Sequence, residues 1–241
     1  ELQKHDLKIV SMPYMIIGFV VIGVMVIFII TKMPDTSPKG DLHDVHFGRT
    51  VGRLMGNPRY VGGVVAQTFY VGAQIMCWTF IIQYAENELG IDKATAQNHN
   101  ILAMVIFLCS RFICTFFLKY VSPGRLLFVL SVAGIACTLG AIHLQGMQGL
   151  YSLVAISACM SLMFPTIYGI ALHKLGDDST LGAAGLVMAI VGGALMPPLQ
   201  GAIIDLGTVA WLLAVNFSFI LPFISFLVIA IYGYRTLKVH K

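Results

Sequence analysis

The chain has 241 residues, of which 58% are hydrophobic and only 11% charged, and a mean hydropathy of +0.85, a balance that excludes an ordinary soluble domain. The formal charge of +4 does not point to nucleic acid as a partner, because the basic residues are spread over polar connections rather than gathered in one patch. Cys77, Cys109, Cys114, Cys137 and Cys159 all fall in apolar runs without CxxC or Cys/His spacing, so they read as small packing residues and not as a disulfide framework or a metal site.

Such a chain requires lipid around it. A spanning helix takes about 20 mostly apolar residues, because the hydrocarbon core is roughly 30 Å thick and each helical residue rises 1.5 Å. Seven runs of this kind are predicted as helices: 9–31, 61–84, 100–118, 126–144, 150–172, 181–204 and 209–232. The first is too long for the apolar region of a signal peptide, and no small-residue cleavage site follows it. It is therefore a span. The chain opens on Glu1 without an initiator methionine, and it is expected to belong to something longer.

Between the first and second spans lies the longest polar stretch, 32–60, with three prolines and four glycines among charged residues. It reads as a linker that separates one span from six.

The second span carries polar and aromatic residues on one side. Counted at 100° per residue, Gln67, Tyr70, Gln74 and Trp78 fall within about 80° of one another. An amide can donate to and accept from an uncharged hydroxyl, and an aromatic ring can stack on an apolar ring face. The same face also suits plain interhelical contact, with the glutamines holding neighbouring helices together.

The third span contains Arg111, a charge inside an apolar run about two turns before Lys119. A charge there is expensive and demands a reason. A lock between helices and a direct ligand contact both supply one. The fourth span carries nothing that singles out a function. In the fifth, Ser161, Phe164, Pro165 and Tyr168 lie near mid-membrane, and Pro165 removes a backbone hydrogen bond and allows a local kink. The sixth contains Gly192, Gly193, Pro197 and Pro198: the glycines permit close helix approach, and the prolines weaken the helix where a gating element can bend. His143 and His173 lie at span ends and read as interfacial.

None of the eleven Asp and Glu lies well inside a span. A proton relay in lipid normally uses an ionisable side chain, so no carboxylate in these residues is placed to carry one. HExxH, GxSxG and P-loop patterns are absent from the sequence, which leaves intramembrane or nucleotide hydrolysis without a motif and argues against an enzyme.

Loop charge sets the topology. Lys32, Lys39, Arg49, Arg53, Arg59, Lys119, Arg125, Lys174, Arg235, Lys238 and Lys241 fall on one side, and only Lys4, Lys8 and Lys93 on the other. By the positive-inside rule the 32–60 loop and the C-terminus are cytoplasmic and the N-terminus is outside.

The stretch Gln67-Thr-Phe-Tyr-Val-Gly-Ala-Gln-Ile-Met-Cys-Trp-Thr-Phe-Ile-Ile82 resembles the seventh transmembrane helix of the L-fucose:proton symporter family, within the major facilitator superfamily. In order after it, Ala96-Gln-Asn98 and Ser110-Arg-Phe112 resemble the two ends of helix eight, Phe164-Pro-Thr-Ile167 resembles helix ten, and Met188-Ala-Ile-Val-Gly-Gly193 through Pro197 resembles helix eleven. The first motif is long enough to be fairly specific, and the others add support through their order.

The resemblance implies an all-α membrane fold of the major facilitator type. Residues 1–31 would be helix six, 32–60 the central cytoplasmic loop, 61–234 the C-terminal six-helix half and 235–241 a cytoplasmic tail. It implies symport of fucose or a related monosaccharide with a proton by alternating access, the sugar lying near the midplane between two halves. Substrate contacts are expected from Gln67, Tyr70, Gln74, Trp78, Asn98 and Phe164, and gating or structural roles from Arg111, Pro165, Gly192, Gly193 and Pro197. No cofactor is implied beyond the coupling proton, and the partners are the monosaccharide, the bilayer and an N-terminal half that carries the family's coupling carboxylates. The membrane is a bacterial inner or plasma membrane. Two departures stand out: Phe164 replaces the family's Tyr before the helix-ten proline, which removes a hydrogen bond but keeps a stacking surface, and Ser110 replaces its usual Gly before Arg111.

The alternatives are a seven-helix receptor and a non-transporting scaffold or channel subunit. An Asp-Arg-Tyr-like triplet after the third span, Asn-Pro-x-x-Tyr in the seventh and a retinal-holding Lys there are all missing from the sequence.

Overall fold

A computed structural model describes residues 2–31, 47–209 and 212–237. Positions 32–46 of the predicted central loop and 238–241 of the predicted tail lie outside the described residues. The chain divides into two units, Glu1–Asp44 and Val45–Lys241. In the first, one helix, α1 (Leu2–Ile30), takes up almost all of the predicted 9–31 span. Its 29 residues extend over roughly 43 Å, enough to cross a bilayer.

In the second unit, six helical stretches are long and apolar enough to cross a membrane: Pro58–Leu89, Lys93–Phe117, Pro123–His143, Met147–Leu172, Gly176–Ile204 and Ala214–Thr236. These are the six spans expected after the central loop. The chain is an integral, multi-pass membrane protein.

The central loop is not wholly irregular, as its proline and glycine content had implied. It contains α2 (Phe47–Met55), where Phe47, Val51, Leu54 and Met55 recur at helical spacing. Leu54 is buried beside Tyr60, Ala171 and Leu186. On the polar side of α2, Arg53 grips Asp178 with two bonds, Nε to Oδ2 at 3.0 Å and Nη2 to Oδ1 at 2.6 Å, and Nη2 also donates to Thr50 Oγ1 at 3.2 Å. This fork ties the loop helix to the start of the sixth span.

The central element is α3 (Pro58–Leu89), started by Asn57, whose side chain accepts from the Arg59 and Tyr60 N–H groups, and by Pro58 in the first turn. It ends at Gly90, which adopts φ +62 and donates to the Glu86 carbonyl. At 32 residues, or roughly 48 Å, α3 outruns the hydrocarbon core, so Glu86 and Glu88 in its last turn lie beyond the apolar region. Next comes α4 (Lys93–Phe117), capped by Asp92, which accepts from the Thr95 hydroxyl at 2.7 Å and from the Ala94 and Thr95 N–H groups. Those bonds, the Thr95 hydroxyl first, hold the Asp92 carboxyl below the usual carboxylate range. α5 (Pro123–His143) follows with Pro123 in its first turn.

The last three spans are interrupted, and two of the interruptions sit at prolines. The fifth divides into α6 (Met147–Met160) and α7 (Met163–Leu172). Pro165 has no N–H for the Ser161 carbonyl, which lies in the break. The sixth runs as α8 (Ser179–Met188), a 3₁₀ turn at Ala189–Val191 and α9 (Gly192–Ile204), with Pro197 and Pro198 inside α9. The seventh differs from expectation at its start: residues predicted as helix from 209 form instead a short antiparallel hairpin, β1 (Thr208–Val209) with β2 (Leu212–Leu213), entered through Gly207 at φ +75. The helix then runs as α10 (Ala214–Ser218) and α11 (Ile220–Thr236), interrupted at Phe219 because Pro222 cannot bond the Ser218 carbonyl.

α3 packs against α4, α6, α7, α9 and α11, and the core gathers around its Ala66, Tyr70, Ala73, Cys77 and Tyr84 with Met160, Ile167 and Phe226 from its neighbours. α9 comes closest. A Cβ at Gly192 would collide with the Thr68 carbonyl of α3, one at Gly193 would come within 2.8 Å of Ile75, and one at Gly72 of α3 would strike Met196. Cys77 and Cys159 pack as expected, whereas Cys109 is exposed on α4.

Gly192→Ala should therefore destabilise the protein by about 1–3 kcal/mol, because the obstacle is backbone and cannot rotate away. Gly201→Ala in the same helix meets no atom closer than Phe80 Cζ at 3.8 Å and should be neutral or slightly stabilising. Thermal unfolding in detergent checks both, and equal midpoints for the two variants would contradict the close-contact reading.

Candidate functional site

The polar face of α3 divides into a fully buried part and a partly buried part. Gln67 and Tyr70 are 0% and 1% exposed, inside the bundle, whereas Gln74 and Trp78, one and two turns further along, are partly buried. The four share a stripe on the helix, as their spacing requires, but the neighbours cover its first half more completely.

Tyr70 holds the fifth span at its break. Its hydroxyl donates to the Met160 carbonyl at 3.0 Å, the last of α6, which in an unbroken helix would face the Phe164 N–H. Its ring stands edge-on to Phe164, with centroids 6.1 Å apart, and Phe164 stacks on Tyr168 at 6.4 Å and 11°. One residue thus satisfies a buried carbonyl and orients an aromatic pair. Its hydroxyl is engaged with protein backbone and not with the open space.

Further along, the Trp78 Nε1–H donates to Ser157 Oγ at 3.3 Å, and its ring stands edge-on to Phe107 at 5.1 Å. Phe107 lies four residues before Arg111, on the same side of α4. Arg111 is exposed at the surface of the bundle. α3 thus carries an aromatic wall along one face, Trp78 with Phe107 and Tyr70 with Phe164 and Tyr168, and Gln74 lies on the helix between Tyr70 and Trp78. Gln74 makes no hydrogen bond to the described residues, so its amide is available.

Gln67 has both amide atoms buried and unpartnered among the described residues. A buried polar group without a partner costs about 1–3 kcal/mol. The Ser161 hydroxyl at the span break is buried and unpartnered in the same way.

Of the other sequence-predicted residues, Asn98 is exposed in the second turn of α4. Because α3 and α4 are antiparallel neighbours, it lies roughly 9 Å along the bundle from the level of Trp78. Pro165 faces outward at the break it causes, Gly192 and Gly193 seat α9 on α3, and Pro197 lies within α9 one turn beyond Gly193. Sequence reasoning missed Phe107, which the four-residue spacing to Arg111 could have flagged, and Ser157, for which only tertiary contact gives a signal. It also missed the buried amides Asn100, Gln200 and Asn216, each with an unpartnered oxygen.

The order of helices and their breaks can be compared with known proteins. The chain is 55% identical over its whole length to the L-fucose-proton symporter of Haemophilus influenzae, covering 56% of that protein. It is 33% identical over 84% of its length to the L-fucose-proton symporter of Escherichia coli, covering 47% of it. The crystal structure of an Escherichia coli fucose:proton symporter variant superposes on 92% of the chain with a TM-score of 0.83 and 31% identity, and the chain covers 54% of that protein.

The chain has the fold of the major facilitator superfamily, and its sequence is similar to L-fucose-proton symporters.

A second crystal structure, of a major facilitator superfamily transporter in the outward conformation, superposes on 94% of the chain with a TM-score of 0.84 and 30% identity, and the chain again covers 54% of it. A glucose/galactose transporter of Brucella abortus is 28% identical over 93% of the chain. No family model matches. The chain spans about half the length of the curated relatives it matches. These relatives are transporters.

Tyr70→Phe keeps the ring contact with Phe164 and removes the bond to the Met160 carbonyl. The loss of that bond should lower stability by about 1–3 kcal/mol, since the carbonyl would be left buried and unsatisfied. Thermal unfolding in detergent measures it. An unchanged midpoint would mean that the break is held by something other than Tyr70.

Proposed function

We propose that the chain is the C-terminal part of a sugar:proton symporter that moves fucose or a related monosaccharide by alternating access. The supporting observation is the wall itself: Gln74 offers an unused amide, while Trp78, Phe164 and Tyr168 offer aromatic faces on which the apolar side of a sugar ring can rest. An uncharged, polyhydroxylated ligand suits this combination better than an ion does. The names of the relatives, fucose symporters and glucose/galactose transporters, point to the same class of ligand.

In this reading residues 1–31 form helix six, 32–60 form the central cytoplasmic loop with α2 inside it, 61–234 form the C-terminal half and 235–241 the tail. The asymmetry of Lys and Arg supports an outside N-terminus and a cytoplasmic C-terminus in a bacterial inner membrane. The N-terminal half is the missing partner. Coupling to a proton would rest on carboxylates in that half, because Glu86, Glu88 and Asp178 all lie at helix ends. Arg111 would act on the cycle rather than hold the sugar, and the breaks at Pro165 and beside Gly192 supply bending points.

In the full-length protein, Gln74→Ala should weaken sugar binding by roughly threefold to tenfold while leaving folding intact, because one hydrogen bond to an uncharged ligand contributes about 0.5–1.5 kcal/mol. Equilibrium binding measured over fucose, glucose and galactose checks this. Wild-type affinity for every sugar would show that the polar face only joins helices. These 241 residues alone should not concentrate sugar in liposomes under a proton gradient, and uptake there would refute the division into halves.

A further inference from the structure

A groove outside the candidate site lies between the first turns of α3 and the last turns of α11, with a volume of about 410 Å³. Its lining is graded. Arg59 and Arg235 stand at one end, and Val65, Val228 and Ile231 line the remainder. Since α3 and α11 run in opposite directions, the two arginines lie at the same level, and Val65 and Val228 lie roughly 10 Å deeper along both helices. The Tyr232 hydroxyl donates to the Arg59 carbonyl at 3.3 Å and fixes the two helix ends side by side.

Among the described residues the ion pairs are Arg53 with Asp178 and Lys93 with Glu86, so neither groove arginine is paired with a described carboxylate and two positive charges share the mouth of the groove. This end of the bundle also carries Arg49, Arg53, Lys119, Arg125 and Lys174, the side assigned above to the cytoplasm. Two adjacent cations over an apolar trough complement a molecule with an anionic head and a hydrocarbon tail, and basic pockets between spanning helices on that side suit anionic head groups. A soluble anion would have no use for the valine and isoleucine wall.

We propose that the α3–α11 groove binds an anionic phospholipid, with its phosphate between Arg59 and Arg235 and an acyl chain along Val65, Val228 and Ile231. The head group contributes charge and the chain contributes apolar contact, so both parts are needed. The site lies outside the sugar wall and does not depend on which sugar is carried.

Native mass spectrometry of the full-length protein, titrated with phosphatidylglycerol, tests it. The wild type should retain one phosphatidylglycerol in preference to phosphatidylcholine. Arg59→Gln with Arg235→Gln should weaken that retention by roughly tenfold or more, because each cation near the surface contributes on the order of a fivefold factor. Arg59→Lys with Arg235→Lys should keep most of it, which separates loss of charge from loss of fold. Equal retention by the Gln variant, or equal retention of phosphatidylcholine, would overturn the proposal. Displacement of the lipid by an equal concentration of inorganic phosphate would reduce the site to a simple anion site. No retained lipid at all would show that another part of the protein fills the groove.

Discussion

A carbonyl freed in the middle of a membrane has to find a donor, and much of this structure is arranged around one such case. Pro165 prevents the fifth span from continuing as a single helix, and lipid offers nothing with which to satisfy the exposed backbone. Tyr70 supplies the donor from α3 to the Met160 carbonyl. Because a phenol is rigid, that one bond also fixes the ring against which Phe164 packs, and through Phe164 the position of Tyr168. A break that would otherwise weaken the bundle thus becomes the feature that sets its aromatic wall.

The bond forms only because α3 is held deep in the bundle. In lipid the hydrophobic effect does not drive helices together, so association depends on close packing and on polar contacts. Gly72 and Gly192 let α3 and α9 approach until Met196 and the Thr68 carbonyl fill the space that side chains would occupy. The other flank of α3 is then pressed against α7, where Tyr70 meets the break. Tight packing on one side and polar attachment on the other leave Gln74 and Trp78 less completely covered than Gln67 and Tyr70.

Apart from Arg111, charge among the described residues of the second unit lies towards its ends and does separate work there. The Arg53–Asp178 fork attaches the loop helix to the sixth span, so a movement of that span relative to α2 has to break or carry a bidentate contact. Arg59 and Arg235, without such partners among the described residues, line the groove between α3 and α11. Arg111 lies on α4, four residues after Phe107.

How much of this could be read from the residues follows from what each property depends on. The spans, their order, the loop asymmetry and the shared face of Gln67, Tyr70, Gln74 and Trp78 are set by local composition and by the period of the helix, and these belong to the sequence by itself. The α2 helix was hidden, because the surrounding glycines and prolines masked nine residues of amphipathic spacing. So was the hairpin before α10, since its apolar residues carry the same hydropathy as a helix. Only the tertiary structure decided that Gln67 and Tyr70 are fully covered while Gln74 and Trp78 are partly so, that Tyr70 donates to backbone, and that Phe107 meets Trp78. A helical wheel assigns a direction to a side chain, but the neighbour that stands in that direction depends on residues distant in the chain, and contacts between them are what folding, rather than composition, determines.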